Sequence, residues 1–208
     1  LMNIVPETYN NKEPMMDVFE AKYPDLNDLD STDYSTLWNA INFVVNSSDE
    51  EFRQHVYEYF DIPVIIDYYL FVYVLNALDN RGKNMYWAVY DQTKDKKITP
   101  AVWDLDISMG AKSALQYDKD FISPEYDPGD ILYLITRLKN LNVDDFNNKV
   151  RNRYAELRKT VFSIHNLQQR YEYYYDLLIT SGAAEREAEK WSMDSDICGE
   201  IIDFDLEI

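Results

Sequence analysis

Cysteine and histidine are almost missing from this 208-residue chain, which holds one Cys (Cys198) and two His (His55 and His165). A single thiol forms no internal disulfide, and this set cannot build a Cys-based zinc site. Two His also count against a His-rich metal site or a His-dependent triad, so the metals expected of such a chain are hard cations bound through carboxylate oxygen. Glycine is scarce and scattered: Gly82, Gly110, Gly129, Gly182 and Gly199 are the five, and none are clustered. Positive charge is short as well. Against 38 Asp+Glu stand 20 Lys+Arg, a formal net charge of −18. Phosphate neutralisation needs clustered Lys and Arg, so the charge argues against a general nucleic-acid binder, and anionic headgroups would repel such a surface. The longest apolar run, Val64 to Leu78, is interrupted by Asp67 and Asn76 and falls short of the ~20 residues a membrane span requires. The chain opens at Leu1 and not at Met, so it is read as a fragment or processed form.

What is abundant points to a packed domain. Hydrophobic residues make up 46% and aromatics 15%, with 18 Tyr and 4 Trp, which is too apolar for intrinsic disorder. The reading is one domain over residues 1–208, mainly helical with one small β-hairpin (α+β). Residues 1–32 are irregular, punctuated by Pro6, Pro14 and Pro24, and residues 195–208 form an acidic tail. Ser31 or Thr32 is positioned to cap a first helix whose buried stripe is Leu37, Trp38, Ile41, Val44 and Val45. The run Ser47-Ser48-Asp49-Glu50-Glu51 reads as a break and a capped second helix with Phe52, Val56, Tyr59 and Phe60 on its apolar face. Asp61 before Ile62-Pro63 is a helix start. The helix it opens is expected to run to Leu78, apolar nearly all round, as the central core element.

After Leu78 the hydrophobic period changes from 3.6 to 2. Met85 to Tyr90 and Ile98 to Trp103 read as the two strands of a hairpin, with Pro100 marking a side of the second strand that lacks a partner. Residues 110–130 are irregular. The final third is helical: a short face over Ile131 to Leu138, an amphipathic helix over Val143 to Val161, and another over Ile164 to Leu178 that Gly182 ends. A last short helix covers Ala184 to Trp191.

The stretch with chemical content is Asn76 to Gly110. The core helix is followed at once by Asp79-Asn80-Arg81-Gly82-Lys83-Asn84, then by the hairpin, then by Trp103-Asp104-Leu105-Asp106. An acid, an Asn five residues later, a hairpin and a further acid leaving a strand is the order of parts in a protein-kinase catalytic lobe. Phosphoryl transfer needs positioning and charge neutralisation, and Mg²⁺ takes one or two carboxylates, an amide carbonyl, waters and phosphate oxygens. Asp79 is placed to orient or deprotonate an attacking hydroxyl. Asn84 with Asp104 or Asp106 is placed to hold the metal. Asp104 and Asp106, two apart on a strand, would face the same side. The competing account is plain: acids after helices cap and turn the chain, and Asp-Leu-Asp also suits a solvated strand end.

Several residues read as structural. Lys83 could touch a phosphate, although a solvated loop lysine is the simpler account. His55 and His165 read as surface and local hydrogen-bonding residues. Tyr171, Tyr173, Tyr174 and Tyr175 read as packing with wet tips. Cys198 has no basic neighbour to activate it, and the acidic run Asp25 to Asp30 lacks the spacing of an EF-hand loop.

Taken together, Phe60-Asp61-Ile62-Pro63 through Asp67-Tyr68-Tyr69-Leu70, Asn76 with Asp79, Asn84-Met85-Tyr86, and Trp103-Asp104-Leu105-Asp106 with Gly110 resemble the spore coat protein H (CotH) family. The match is strong over residues 55–110 and one of pattern beyond. The resemblance implies an atypical protein-kinase-like fold, of which this chain would be the C-terminal lobe alone. It implies Asp79 as the catalytic-loop acid and Asn84 with Asp104 or Asp106 as metal ligands, Asp104 being favoured; Lys83 and Asn84 are the candidates for nucleotide contact. ATP and Mg²⁺ would be the cofactors, and a protein hydroxyl the acceptor of phosphate. A spore coat or bacterial surface would be the location, and the fragment alone would be inactive. The alternatives are a non-catalytic cell-surface or coat interaction module, with a surface protein as partner, and a divalent-cation module without nucleotide.

Overall fold

The computed structural model describes residues 35–91, 93–112, 116–117 and 132–190. Over these the chain forms seven α-helices and two small antiparallel sheets, a mainly helical α+β arrangement. The irregular segment 1–32, the Ser31/Thr32 cap, the acidic run Asp25 to Asp30, Trp191, Cys198 and the tail 195–208 lie outside the described residues, as does most of 110–130.

Helices α1 (Ser35–Asn46), α2 (Asp49–Tyr59) and α3 (Ile62–Val74) form the first layer. The α2 start is a capping box: Ser48 Oγ accepts from Glu51 N at 3.2 Å, and Ser48 N donates to Glu51 Oε2 at 2.9 Å. These two reciprocal bonds satisfy amides that the first turn leaves orphaned. Helix α3 starts where Asp61 Oδ1 accepts from Val64 N, with Pro63 in the first turn. Six of its residues are buried (Ile62, Ile65, Ile66, Tyr68, Leu70 and Val72), which makes it the centre of the core.

Helix α3 ends four residues earlier than the apolar pattern implies. Asn76 adopts a left-handed φ of 47°; its N–H donates to Tyr73 O at 3.2 Å, and Ala77 N donates to Val72 O at 3.0 Å. That pair of bonds is a Schellman C-cap, in which Asn serves in place of glycine. Leu75 and Ala77 stay apolar because they pack on the core beneath the turn, so hydrophobicity alone runs past the end.

A 3₁₀ turn (Leu78–Arg81) leads into β1 (Met85–Asp91) and β2 (Asp95–Val102), paired antiparallel with Met85 opposite Val102 and Trp87 opposite Pro100. The strands run further into the connection than the sequence pattern implies, since Asp91 pairs with Asp95. The hairpin is fastened to the helices by Asp61 N donating to Ile98 O at 3.2 Å, and by Phe60 and Trp87 packing edge to face. A second, two-residue antiparallel pair, β3 (Ala111–Lys112) and β4 (Gln116–Tyr117), follows within the segment 110–130 that the pattern reads as irregular, too short to show a hydrophobic period.

The other layer is α4 (Tyr133–Leu141) and α5 (Phe146–Leu157), separated by a 3₁₀ turn (Val143–Asp145). The expected single helix over 143–161 is therefore shorter at both ends. Asp144 and Asp145 carry φ of 46° and 61°, left-handed values that break helix geometry before Phe146, and the chain turns after Leu157. Leu134, Ile135, Leu138, Val143 and Phe146 close the core. Two ion pairs tie the layers. Arg137, 7% exposed, donates to Val44 O at 2.8 Å, Ser47 Oγ at 3.0 Å and Asp49 Oδ1 at 2.9 Å, and lies 4.1 Å over the Phe52 ring. Arg153 grips Asp67 of α3 in a bidentate pair at 2.7 and 2.9 Å.

Helices α6 (Ile164–Thr180) and α7 (Ala183–Lys190) complete the described chain. Helix α6 has no buried residue among those described: Ile164, Tyr171, Tyr173, Tyr174, Leu177, Leu178 and Ile179 are exposed, although the Tyr171 hydroxyl meets Met109 Sδ.

Candidate functional site

The site grows from the connection between the α3 cap and β1. The 3₁₀ turn after the cap presents Asp79, and Lys83 N and Asn84 N both donate to Asp79 O, at 3.1 and 3.0 Å. This closes the loop as a ring of six residues. Gly82, at φ 157°, turns the chain back between them. The ring folds two side chains onto the Asp79 carboxylate: Lys83 Nζ at 2.8 Å and Asn84 Nδ2 at 3.4 Å, both to Oδ2. Lys83 is held protonated above its usual range, first by the hydrogen bond to Asp79, with Asp104 and Asp106 adding attraction.

Asp104 arrives from the other end of the hairpin. Strand β2 stops at Val102, and Asp104 has a left-handed φ of 55°. The expectation that Asp104 and Asp106 share a strand face is thus corrected, because a left-handed residue breaks the period-2 alternation on which it rests. The two acids differ in their contacts. Asp104 Oδ2 meets Asn84 Nδ2 at 3.4 Å, whereas Asp106 Oδ1 accepts from Ile107 N at 2.9 Å. Asn84 therefore bridges Asp79 and Asp104, and Asp106 sits beyond them, near enough to act on Lys83 through charge.

Sequence reasoning missed Asn80. It is fully buried beside the partly exposed Asp79, and its Nδ2 donates to Asn84 O and, at 2.7 Å, to Trp103 O. Its backbone carbonyl accepts the Tyr68 hydroxyl from α3, and burial pushes the Tyr68 phenol well above its ordinary range. Asn76 and Asn80 each keep a buried side-chain oxygen with no hydrogen-bond partner among the described residues. A polar side chain beside an acid in a loop reads as solvated, so nothing in the pattern distinguishes Asn80.

A family model described as "CotH kinase protein" matches residues 6–196. The chain belongs to the CotH family. No curated protein and no solved structure matches the chain. Within this CotH chain, the residues named from the sequence thus divide into two groups. Asp79, Lys83, Asn84 and Asp104 are brought into direct contact. Asp106, His55 and His165 are not part of that contact: His55 Nδ1 pairs with Glu58 Oε1 at 2.7 Å, and His165 lies at the α6 start.

The donor set suits a hard cation. Among the described residues no group of three or more His, Cys, Asp and Glu stands ready to hold a metal. What is present is two carboxylates and a carboxamide, an oxygen-bearing set of the kind that hard cations take together with waters. Asn84 can turn its amide so that Oδ1 replaces Nδ2 toward the acids, since the two ends differ little in size. No helix is long and apolar enough to cross a membrane among the described residues.

Proposed function

We propose that this CotH-family chain carries the catalytic-lobe half of a kinase-like phosphotransferase, which moves the γ-phosphoryl group of ATP to a protein hydroxyl. The observation that supports it is the bridge of Asn84 between Asp79 and Asp104, with Nδ2 at 3.4 Å from each. Asp104 and Asn84 are the residues that would hold Mg²⁺, with Asp106 behind them. The metal, when bound, supplies neutralisation of phosphate charge. Asp79 orients the acceptor hydroxyl and takes its proton; the hydroxyl oxygen bonds to the γ-phosphorus as the bond to the β–γ bridging oxygen breaks, and ADP leaves. Lys83, held charged on Asp79 at 2.8 Å, is within a side-chain swing of an incoming phosphate. Its exposure allows that swing, because a solvated ion pair costs little to break.

The test is transfer of labelled phosphate from ATP with Mg²⁺ by the full-length protein, compared with Asp79→Ala and with a double variant carrying Asp104→Ala and Asp106→Ala. Transfer is expected to fall at least ~100-fold in each, the scale of a lost general base or electrostatic group. Transfer that persists in all of them removes the assignment.

A second reading is favoured by α6, whose apolar and aromatic side chains lie at the surface. An exposed aromatic helix of this kind suits a surface-protein partner, and the CotH chain would then act as an interaction module. Attachment of the protein to its coat or surface that is unchanged in Asp79→Ala and lost in Tyr173→Ser with Leu177→Ser would favour that reading.

A further inference from the structure

We propose that Asn80 is the positioning residue of the site, and that its two amide protons set the distance between Asn84 and Asp104. The inference rests on the phosphotransfer reading only for what the positioned groups do, and the geometry stands without it.

The need for such a residue follows from hydrogen-bond accounting at the mouth of the hairpin. Beyond the Met85–Val102 pair, Asn84 lies opposite Trp103, and Trp103 N donates to Asn84 O at 3.2 Å. In a regular antiparallel pair Asn84 N would return a bond to Trp103 O. It does not, because Asn84 N is spent closing the loop on Asp79 O at 3.0 Å. That closure brings Asn84 to the Asp79 carboxylate and strips Trp103 O of its partner. Asn80 Nδ2 fills the gap at 2.7 Å, and with its second proton it bonds Asn84 O. One carboxamide nitrogen therefore replaces the missing rung and holds both strands.

The consequence reaches Asp104, the residue after the pinned carbonyl. Its left-handed φ of 55° is one that Asp reaches more readily than most residues with a side chain but not for free, so the bonds that flank it help to decide whether it is kept. With Trp103 O released, Asp104 is free to return to extended backbone and carry its carboxylate away from Asn84. The anchor at the other end is Tyr68, whose hydroxyl donates to Asn80 O. A chain of hydrogen bonds thus runs from the core helix through Asn80 to both ends of the hairpin. The buried Oδ1 of Asn80 meets no partner among the described residues, so the side chain is explained by its two donors.

The experiment uses the 208-residue chain as wild type, Asn80→Leu, Asn80→Ser and Tyr68→Phe, with Leu138→Ala as a core-destabilised control. Two quantities are read well below each melting temperature. The first is the Asn84 side-chain amide in ¹H–¹⁵N spectra without metal; the second is Mn²⁺ affinity by electron paramagnetic resonance. The expected result is a shifted or broadened Asn84 amide in Asn80→Leu and Asn80→Ser and a smaller shift in Tyr68→Phe. Mn²⁺ affinity falls at least ~10-fold in the Asn80 variants, the scale on which loss of a residue that orients a metal ligand is felt, and Leu138→Ala matches wild type in both. An Asn84 amide unchanged in the folded Asn80 variants overturns the proposal, as does an equal change in Leu138→Ala. If wild type binds no Mn²⁺, the phosphotransfer reading fails while the amide spectra still decide the role of Asn80. Should Asn80→Leu not fold, Asn80→Ser and Tyr68→Phe carry the test.

Discussion

Replacing Asp104 by Asn should reverse its effect on stability according to whether Mg²⁺ is present. Asp79 Oδ2 and Asp104 Oδ2 each lie 3.4 Å from the same Asn84 nitrogen, so they are no more than about 7 Å apart, and at an effective dielectric of about 20 they repel by on the order of 2 kcal/mol. Asp104 is exposed and Lys83 already pairs with Asp79, so solvent and that ammonium reduce the effective repulsion to about 0.5–1 kcal/mol. Asp104→Asn removes it, and Asn tolerates the left-handed backbone at φ 55° at least as well as Asp. Without divalent cation the variant should melt about 1–4 °C above wild type, using about 2–4 °C per kcal/mol for a chain of this size. With Mg²⁺ the order inverts: a cation at about one hundred times its Kd stabilises wild type by about 2.7 kcal/mol, and the variant by less in proportion to its weaker binding. The assay is thermal unfolding across a MgCl₂ titration, with NaCl matched for ionic strength. Parallel Mg²⁺ responses in the two proteins would refute a cation seat that includes Asp104. A variant less stable than wild type without Mg²⁺ would show that the two carboxylates do not repel across Asn84.

Two further outcomes follow from the helical layers and from Tyr68. Arg137→Met leaves Val44 O without its buried donor and Asp49 without its partner, and strips the guanidinium from Phe52; because Asp49 is exposed, a loss of about 1–3 kcal/mol is expected by urea unfolding, the cost of a buried carbonyl left without its donor, and a loss under about 0.5 kcal/mol, the range of an ordinary surface substitution, would show that the cluster does not hold α1, α2 and α4 together. Burial raises the Tyr68 pKa, so the folded chain keeps a proton that the unfolded chain releases near pH 10. That contribution is complete below about pH 10 and fades as pH rises further, by at most about 1.4 kcal/mol per pH unit. Tyr68→Phe should flatten the slope of stability between about pH 10 and 11.5, and an unchanged slope would refute the assignment.

Much of the frame can be read directly because its causes are local. The Ser48–Glu51 box, the Asp61-Pro63 start and the period-2 runs of the hairpin each depend on residues within a few positions of one another, and each is where the pattern places it. The order Asp79, Asn84, Asp104 is legible for the same reason, as a spacing. The pattern misleads where local signals compete. Leu75, Ala77 and Leu78 continue an apolar run that Asn76 has already terminated, and the stripe Ile164, Leu167, Tyr171, Tyr174 and Leu178 has helical period but is not buried among the described residues.

By itself, then, the sequence determined a mainly helical chain with the β1–β2 hairpin after its core helix, and three oxygen-bearing side chains spaced around that hairpin. Only the tertiary structure decided that Asn84 touches both acids, that Asp104 and not Asp106 is the one it reaches, and that Asn80 bonds the carbonyls of Asn84 and Trp103 beside them. The physical reason is that these depend on where hydrogen bonds are diverted. Asn84 N closes a loop instead of a strand pair, Trp103 O is left to the side chain of Asn80, and Asp104 takes a left-handed backbone as a result. No spacing in the chain encodes which carbonyl will lack a partner until the strands have met.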